Sequence, residues 1–367
     1  MSVLGLLIVI PFIYNTLPLS KSASEIFYLP SSNSEEIAKS MQKSGYTVTI
    51  VDRWMLDLIE KPQEGWYRAD KSRYGRFLFF ATLYGKKTET MSVRIYAGET
   101  AKKITQRLAN DMKLDSKKLY KNYVSLNKYS EADIFAGRYT LARQADENVS
   151  ISFLFDRSEE MMQDFVKRHF THNPSKNELQ LLLNIASIIQ KESNSVREMP
   201  LISSVIYNRL RKNMKLQMDS TLNYGEFSHT IVTPERIKRD MSYYNTYKHK
   251  GLPPYPLGSV TMDALEAAMF PAQTKYLFFM LNSDGSHRFS ATYKEHLFHL
   301  KAFRKYQKEK KERLERERKD KERVRREAKE KRRIEEKKKL KVQASKELNS
   351  TGTEHNTSEV PKKQKSF

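Results

Sequence analysis

No cysteine occurs among the 367 residues. That absence excludes disulfide frameworks, thiolate metal sites and cysteine nucleophiles, and fits an exported or a cytosolic protein equally. The eight histidines form no H-x-x-x-H pair with an acidic partner, and no glycine-rich phosphate loop is present. The sequence therefore points to no metal and no cofactor. Charge is missing from the N-terminus, where "MSVLGLLIVIPFIYNTLPLS" carries no charged side chain before Lys21. Aromatic and apolar residues are scarce in the C-terminal tail. Between Lys301 and Val342 there are 22 Lys/Arg against 10 Asp/Glu, so more than half of the chain's net charge of +22 lies outside any folded core.

The uncharged N-terminal run has about 19 residues, which at ~1.5 Å per residue reaches roughly the ~30 Å of a bilayer core. A transmembrane anchor over residues 1–20 is the expectation. A cleaved signal peptide and a buried helix containing Pro11 are the alternatives; the run lacks a basic n-region and a clear small-x-small cleavage site. In the tail, acids interleave with bases and aromatics are almost absent, unlike a nucleic-acid surface. Residues 301–367 read as a solvated helix or a disordered tail without a coiled-coil seam, and "STGTEHNTSEVPKKQKSF" as disordered.

Between these ends the pattern is α+β. "SEIFYLPSSNSEEIAKSMQKSGYTV" reads as strand, turn and amphipathic helix, with Ile37 and Met41 apolar, then a further strand after Tyr46. "MSVRIYAGETAKKITQRLANDMKL" repeats the unit, with Ile104 and Leu108 on one helix face. "GWYRADKSRYGRFLFFATLYG" suggests two strands, and Gly137 a turn between strand-like segments. Asn173-Pro174 marks a boundary. Beyond it, Ser175 and Glu178 form an S-x-x-E capping box, so a helix starts near Lys176. A second helix, "MPLISSVIYNRLRKNM", aligns Ile202, Val205, Ile206 and Arg209. "LQMDSTLNYG" is extended and then turns. A third helix stops at Pro271, and a hairpin turns at Asp284-Gly285. The expected divisions are 1–20, 22–172, 173–300 and 301–367.

The helix after Ser175 poses a chemical question. Leu181, Ile185, Ile188 and Glu192 fall on one face, so Glu192 ends an apolar stripe. A carboxyl there is desolvated, and the negative end of the helix dipole also helps it keep its proton, as a general acid working near neutral pH requires. Gln190 lies about 160° round the helix from Glu192. On this helix alone an ordinary last-turn glutamate is the commoner outcome. Downstream, Gln217, Asp219, Thr221, Tyr224, Asn245 and Tyr247 lie in loop-like, aromatic-rich segments suited to holding a sugar.

The blocks "IASIIQKES", "VIYNRLRKNMKLQMDSTLNYG", "YYNTYKHKGLPPYPLGSV", "LEAAMFPAQTKYLFFM" and "HRFSATYKEH" together resemble the endolytic murein transglycosylases, or YceG-like lytic transglycosylases. The likeness covers about residues 178 to 296 and is weaker over 22–172. It implies a single-pass protein of the cell inner membrane whose periplasmic catalytic domain follows a LysM-like region. It also implies an endolytic cut of the peptidoglycan bond between N-acetylmuramic acid and N-acetylglucosamine, giving 1,6-anhydro ends and limiting strand elongation. Cell-wall synthases become candidate partners, and nucleic acid does not. The family's catalytic block, usually E-K-E-[ST], offers two glutamates; here the first is Gln190, which leaves Glu192 as catalytic. Gln217, Asp219, Tyr224, Asn245 and Tyr247 are assigned to sugar binding or cleft shaping. Where the family often has Asp-Pro-Thr this chain has Asp219-Ser220-Thr221, and Phe270-Pro271 replaces Asn-Pro. A hydrolytic muramidase and a noncatalytic peptidoglycan-binding or assembly protein are the rival readings, and His287 is either a ligand contact or a strand surface residue.

Overall fold

The computed structural model describes residues 3–19, 23–59, 62–69, 75–228 and 230–351. It divides into two units: residues 1–281 with 285–293, and residues 282–284 with 294 onward.

The larger unit opens with α1 (Val3–Thr16), followed by β1 (Ile26–Leu29), α2 (Ser34–Lys43), α3 (Ile50–Leu58) and β2 (Gly65–Arg68). β1 and β2 pair antiparallel, Ile26 opposite Arg68, so the segment is a strand-helix-helix-strand unit. Helix α4 (Arg76–Ala81) closes it. Asn33 caps α2, and the apolar face expected there, Ile37 and Met41, is buried.

Two expectations fail in this unit. The strand foreseen after Tyr46 is helix α3, because Thr49 and Asp52 form a reciprocal capping box. The second strand foreseen in the aromatic stretch is α4, whose inward face is Arg76, Phe79 and Phe80. One buried charge pair explains both. Arg76 grips Asp52 through Nε and Nη2, at 2.8 and 2.5 Å, while Tyr14 donates to the same carboxylate at 2.5 Å.

That contact also involves the N-terminal helix. Among the described residues no helix is long and apolar enough to cross a membrane. Instead of a span over 1–20, α1 has 14 residues, about 21 Å at 1.5 Å per residue, and Tyr14 near its end lies inside the first core with Phe27, Leu29, Met41 and Phe80. Residues 1, 2 and 20 lie outside the described residues. Helices α1, α3 and α4 leave Phe12, Ile13, Trp54, Leu58 and Phe77 exposed.

A second strand-helix-helix-strand unit follows: β3 (Thr90–Ile95), α5 (Ala101–Met112), α6 (Ser116–Leu126) and β4 (Gly137–Ala142), with β3 and β4 antiparallel. The internal repeat read from the sequence is thus a repeat of topology. Gly137 begins β4 rather than turning between strands, and the segment after it is the start of α7 (Glu147–His169), capped by Asp146. α7 spans two cores: Ile151 and Leu154 pack into the second unit, and Met162 and Phe165 into the core that follows.

The third core belongs to α8 (Lys176–Glu192), with the expected Ser175–Glu178 capping box, and to α9 (Met199–Arg211), whose Ile202, Val205, Ile206 and Arg209 are all buried. After α10 (Pro234–Arg239) comes α11 (Met262–Met269). The hairpin β5 (Phe278–Leu281) and β6 (His287–Ser290) pairs Leu281 with His287, and Gly285 supplies the positive φ of +84° that its turn requires. In the smaller unit α12 (Tyr293–Thr351) runs on as a 59-residue helix. Pairs such as Glu315–Lys319 and Glu335–Lys339, four residues apart, line it. The segment expected to be disordered lies, from residue 352, outside the described residues.

Candidate active site

Helix α8 is held by a polar ladder along one side. Asn184 Nδ2 donates to Pro253 O at 2.5 Å, Ser187 Oγ accepts Leu257 N at 2.9 Å, and Gln190 Oε1 accepts the Thr261 N–H and hydroxyl at 3.1 and 2.8 Å. Gln190 therefore does face away from Glu192, and its function is to fasten the start of α11. The fastened strap also docks on the second unit. Gly98 N donates to Ser259 O and Ser259 N to Glu99 O, both at 2.8 Å. Any side chain at Gly258 would meet Gly98 O at 2.7 Å.

Ile185 and Ile188 are buried as the stripe predicted, but Leu181 is 54% exposed. At that first turn the core is reached by Leu182 and Leu183 instead. Glu192 closes the helix, and its Oε1 accepts the backbone N–H of Ser220 at 3.0 Å. Burial raises the Glu192 pKa and the charge of Asp219 adds to it, while Ser220 and His287 pull it down. The net direction is upward, as a group that must donate a proton needs. The Ser220 hydroxyl lies near this carboxyl without forming a well-aligned hydrogen bond, so the backbone N–H is the firm contact.

Asp219 opens the 3-10 turn Asp219–Leu222, and its Oδ1 accepts the Tyr247 hydroxyl at 2.6 Å. Burial, then Asp219, drives the Tyr247 pKa upward, so this phenol stays a donor. Beneath them Thr221 and Thr246 bond through their hydroxyls at 2.9 Å. Gln217, exposed and at a positive φ of 49°, donates its N–H to Thr246 O. Tyr224 stacks on Tyr244 with ring centres 3.9 Å apart, and its hydroxyl donates to Ser242 Oγ at 3.1 Å.

The fold thus clamps the Gln217–Thr221 segment, next to Glu192, against the Asn245–Tyr247 segment. Asn245 is the exception to the sugar-binding assignment. It is fully buried, gives its amide to Ile237 O and Asp240 O at 2.8 Å each, and accepts Tyr247 N at 3.1 Å. It shapes the cleft rather than lining it.

Sequence reasoning missed three contributors. Arg209 was read only as part of a helix face. It is buried, donates Nε to Leu277 O at 2.6 Å, sits over the Phe278 ring at 5.3 Å and interacts electrostatically with Tyr247 and Glu192. Lys191 donates Nζ to Asn223 O at 2.7 Å and Ser228 Oγ at 3.2 Å; burial first, then Lys103, pushes its pKa down to about 8. Glu198 pairs with His287, which is buried and no free strand surface residue. Only a spacing of helix starts against hairpin residues could have hinted at that pair.

Among the described residues no group of three or more His, Asp or Glu side chains is arranged to hold a metal ion. A groove of about 1640 Å³ lies elsewhere, lined by residues such as Tyr28, Lys43, Trp66, Asp156 and Gln163. It contains none of the carboxylates around Glu192.

The site thus sets a half-buried carboxyl whose pKa is raised, Glu192, beside Asp219, the Tyr247 hydroxyl and the stacked Tyr224. The chain belongs to the YceG-like family, whose sequence model matches residues 29–302. Among curated relatives it is similar to the endolytic murein transglycosylase of Bacillus subtilis (strain 168), 40% identical over 132 residues, 36% of either chain. It is also similar to the protein of that name from Streptococcus pneumoniae (strain D39), 31% identical over 156 residues, 41% of this chain and 28% of that one. The chain therefore aligns with about a third of the length of these relatives. A yceG-like protein from Listeria monocytogenes, known from its crystal structure, aligns at 24% identity with a TM-score of 0.47, over 76% of this chain and 98% of that one.

Proposed function

We propose that this protein is an endolytic peptidoglycan lytic transglycosylase with Glu192 as its acid/base. The observation that carries the reading is the one carboxyl of the site whose proton is held by burial, Glu192, resting on the Ser220 N–H. Protonated Glu192 gives its proton to the glycosidic oxygen between N-acetylmuramic acid and N-acetylglucosamine as the anomeric C–O bond breaks. The muramic 6-hydroxyl oxygen then bonds to the anomeric carbon, and its proton returns to the Glu192 carboxylate. One residue serves both halves, because giving up the proton makes it the base. No water is consumed, and a 1,6-anhydro end results. The substrate's N-acetyl oxygen would support the anomeric centre where a two-carboxylate scheme uses a second acid. In this reading Asp219, oriented by Tyr247, and the Tyr224 platform hold the sugar.

The hydrolytic alternative draws on one observation: Asp219 is close enough to raise the Glu192 pKa, so it could in principle activate water. The engagement of its carboxylate by Tyr247 favours an orienting role. Glu192→Gln keeps an acceptor for Ser220 N and removes the transferable proton. That variant should release no soluble fragments from purified peptidoglycan, and release at the wild-type rate would reject the assignment.

The remaining parts of the reading concern placement. The two strand-helix-helix-strand units are proposed as LysM-like glycan-holding modules, and cell-wall synthases as partners supplying nascent strands. The substrate implies a site of action outside the cytoplasm. Attachment to the inner membrane through the N-terminal region is supported by uncharged α1 and the exposed Phe12, Ile13 and Trp54 beside it. Trp54 is exposed and Trp66 buried, and they are the only tryptophans of the chain. On adding vesicles of phosphatidylethanolamine and phosphatidylglycerol, Trp54 emission should therefore shift to the blue. Unchanged emission would remove membrane attachment from the proposal.

A further inference from the structure

Beyond Tyr306 helix α12 has no aromatic residue, and from residue 307 to 344 every side chain is exposed. Its charges are ordered along it. Lys311, Arg318, Arg325, Arg332 and Lys339 recur every seven residues. Seven residues turn a helix about 20° short of two full turns and advance it about 10.5 Å, so these cations form one row roughly 42 Å long that winds slowly, by ~80° in all. Lys310, Lys321 and Lys329 lie beside the row. The ~100° arc that holds all of these bases carries one acid between residues 307 and 343, Glu336. The other acids of this stretch sit on the remaining faces, where they bridge bases three or four residues away, as in Glu312–Arg316, Glu315–Lys319 and Asp320–Arg323. Within the row Arg318 and Lys339 make such bridges, at 4.0 and 3.6 Å. Among the described residues no salt bridge reaches Lys311, Arg325 or Arg332. Helix stability does not account for this arc. Lys321, Arg325 and Lys329 stand four residues apart, and like charges at that spacing weaken a helix where an acid would strengthen it.

We propose that this row is a docking surface for a flexible, nucleobase-free phosphodiester polymer, held by charge along its length. The centre of the row is arginine at three successive positions, and the planar guanidinium fork matches phosphate oxygens in pairs. Leu314, Val324, Ile334 and Leu340, the exposed apolar residues here, fall on four different faces of the helix. They give neither the apolar side that an interfacial helix buries in a membrane nor the seam that a second copy would need. A flat anionic surface meets only part of a row that turns by ~80°, whereas a flexible chain follows all of it. Nucleic acid fits less well. Bases find no aromatic face to stack on, and a duplex, stiff over ~150 base pairs, cannot bend to the row without cost.

The proposal is independent of the chemistry at Glu192. Its test uses the full chain and end-labelled poly(glycerol phosphate), with binding read by fluorescence anisotropy over a salt series. The logarithm of the affinity should fall with the logarithm of salt concentration at a slope near −3.5, from about 0.7 for each of five contacted phosphates. Removing the central charges together, in Arg318→Gln with Arg325→Gln and Arg332→Gln, should weaken binding and reduce that slope by about 2. Arg316→Gln with Arg323→Gln and Lys337→Gln removes the same charge away from the row and should keep the wild-type slope. Circular dichroism checks that both variants retain the helix. Equal losses in the two variants would mean that net charge alone binds, and would overturn the row as a surface. Absence of binding at low salt would overturn the proposal outright. Tighter binding to phosphatidylglycerol vesicles, to duplex DNA or to poly-glutamate would also overturn it, and would assign the row to a membrane, a nucleic acid or a carboxylate polymer.

Discussion

Replacing Ser220 by proline removes two groups beside Glu192, the N–H that donates to its Oε1 at 3.0 Å and the nearby hydroxyl, and Ser220→Ala removes the hydroxyl alone. A hydrogen bond to a charged acceptor contributes about 1.5–3 kcal/mol, and ~1.36 kcal/mol corresponds to one pKa unit. Losing it selectively destabilises the ionised form, so the Glu192 pKa, already raised by burial, should climb by roughly one to two units. Activity that needs protonated Glu192 declines as pH rises through this pKa, so the alkaline limb of kcat/KM should shift upward by the same amount. Ser220→Ala, which keeps the N–H, should move the limb far less. The assay is fragment release from purified peptidoglycan across pH. If Ser220→Pro and Ser220→Ala gave superimposable profiles, the claim that this backbone donor tunes the acid would be refuted.

Other consequences follow from the same contacts. Glu192→Gln should be at least as stable as wild type at neutral pH, because a carboxyl with a raised folded pKa weakens the fold increasingly as pH rises above its unfolded value of ~4.3; urea titrations at acid and neutral pH check this. Arg76→Met leaves the Asp52 carboxylate buried without its cation and should cost about 3–5 kcal/mol, whereas Asp52→Leu with Arg76→Met should recover much of the loss; chemical denaturation reads both. Asn245→Ala strips two backbone carbonyls and the Tyr247 N–H of their partner, a loss of at least roughly 3 kcal/mol at ~1–3 kcal/mol for each of the three groups. Its activity should fall through a disordered Tyr247 wall, seen as a raised KM.

The third core was the most legible in the sequence, because the signals there are local. Ser175 and Glu178 cap α8 through side chains three residues apart, and helical spacing puts Glu192 at the end of the apolar stripe, although only the family resemblance singled it out as catalytic. The first unit resisted for the opposite reason. Whether "RFLFFA" becomes strand or helix depends on Arg76 finding Asp52, 24 residues away, and no periodicity encodes such a partner. Among the described residues no helix is long and apolar enough to cross a membrane, and apolar length gave no sign that Tyr14 would be drawn onto Asp52. In the site, residue type suggested that Asn245 binds sugar, but an amide satisfies buried carbonyls equally well, and burial decided between the two. The Glu198–His287 pair joins positions 89 residues apart and leaves no local trace.

The most direct test of the account is the mass of the glycan fragments released by the full chain from purified peptidoglycan, compared with those from Glu192→Gln. The account predicts fragments one water lighter than hydrolytic products, carrying 1,6-anhydro-N-acetylmuramic acid ends, and none from the variant. Reducing ends in their place would contradict it and identify Glu192 as the acid of a muramidase. Anhydro fragments persisting in the variant would show that the transferred proton belongs to another group.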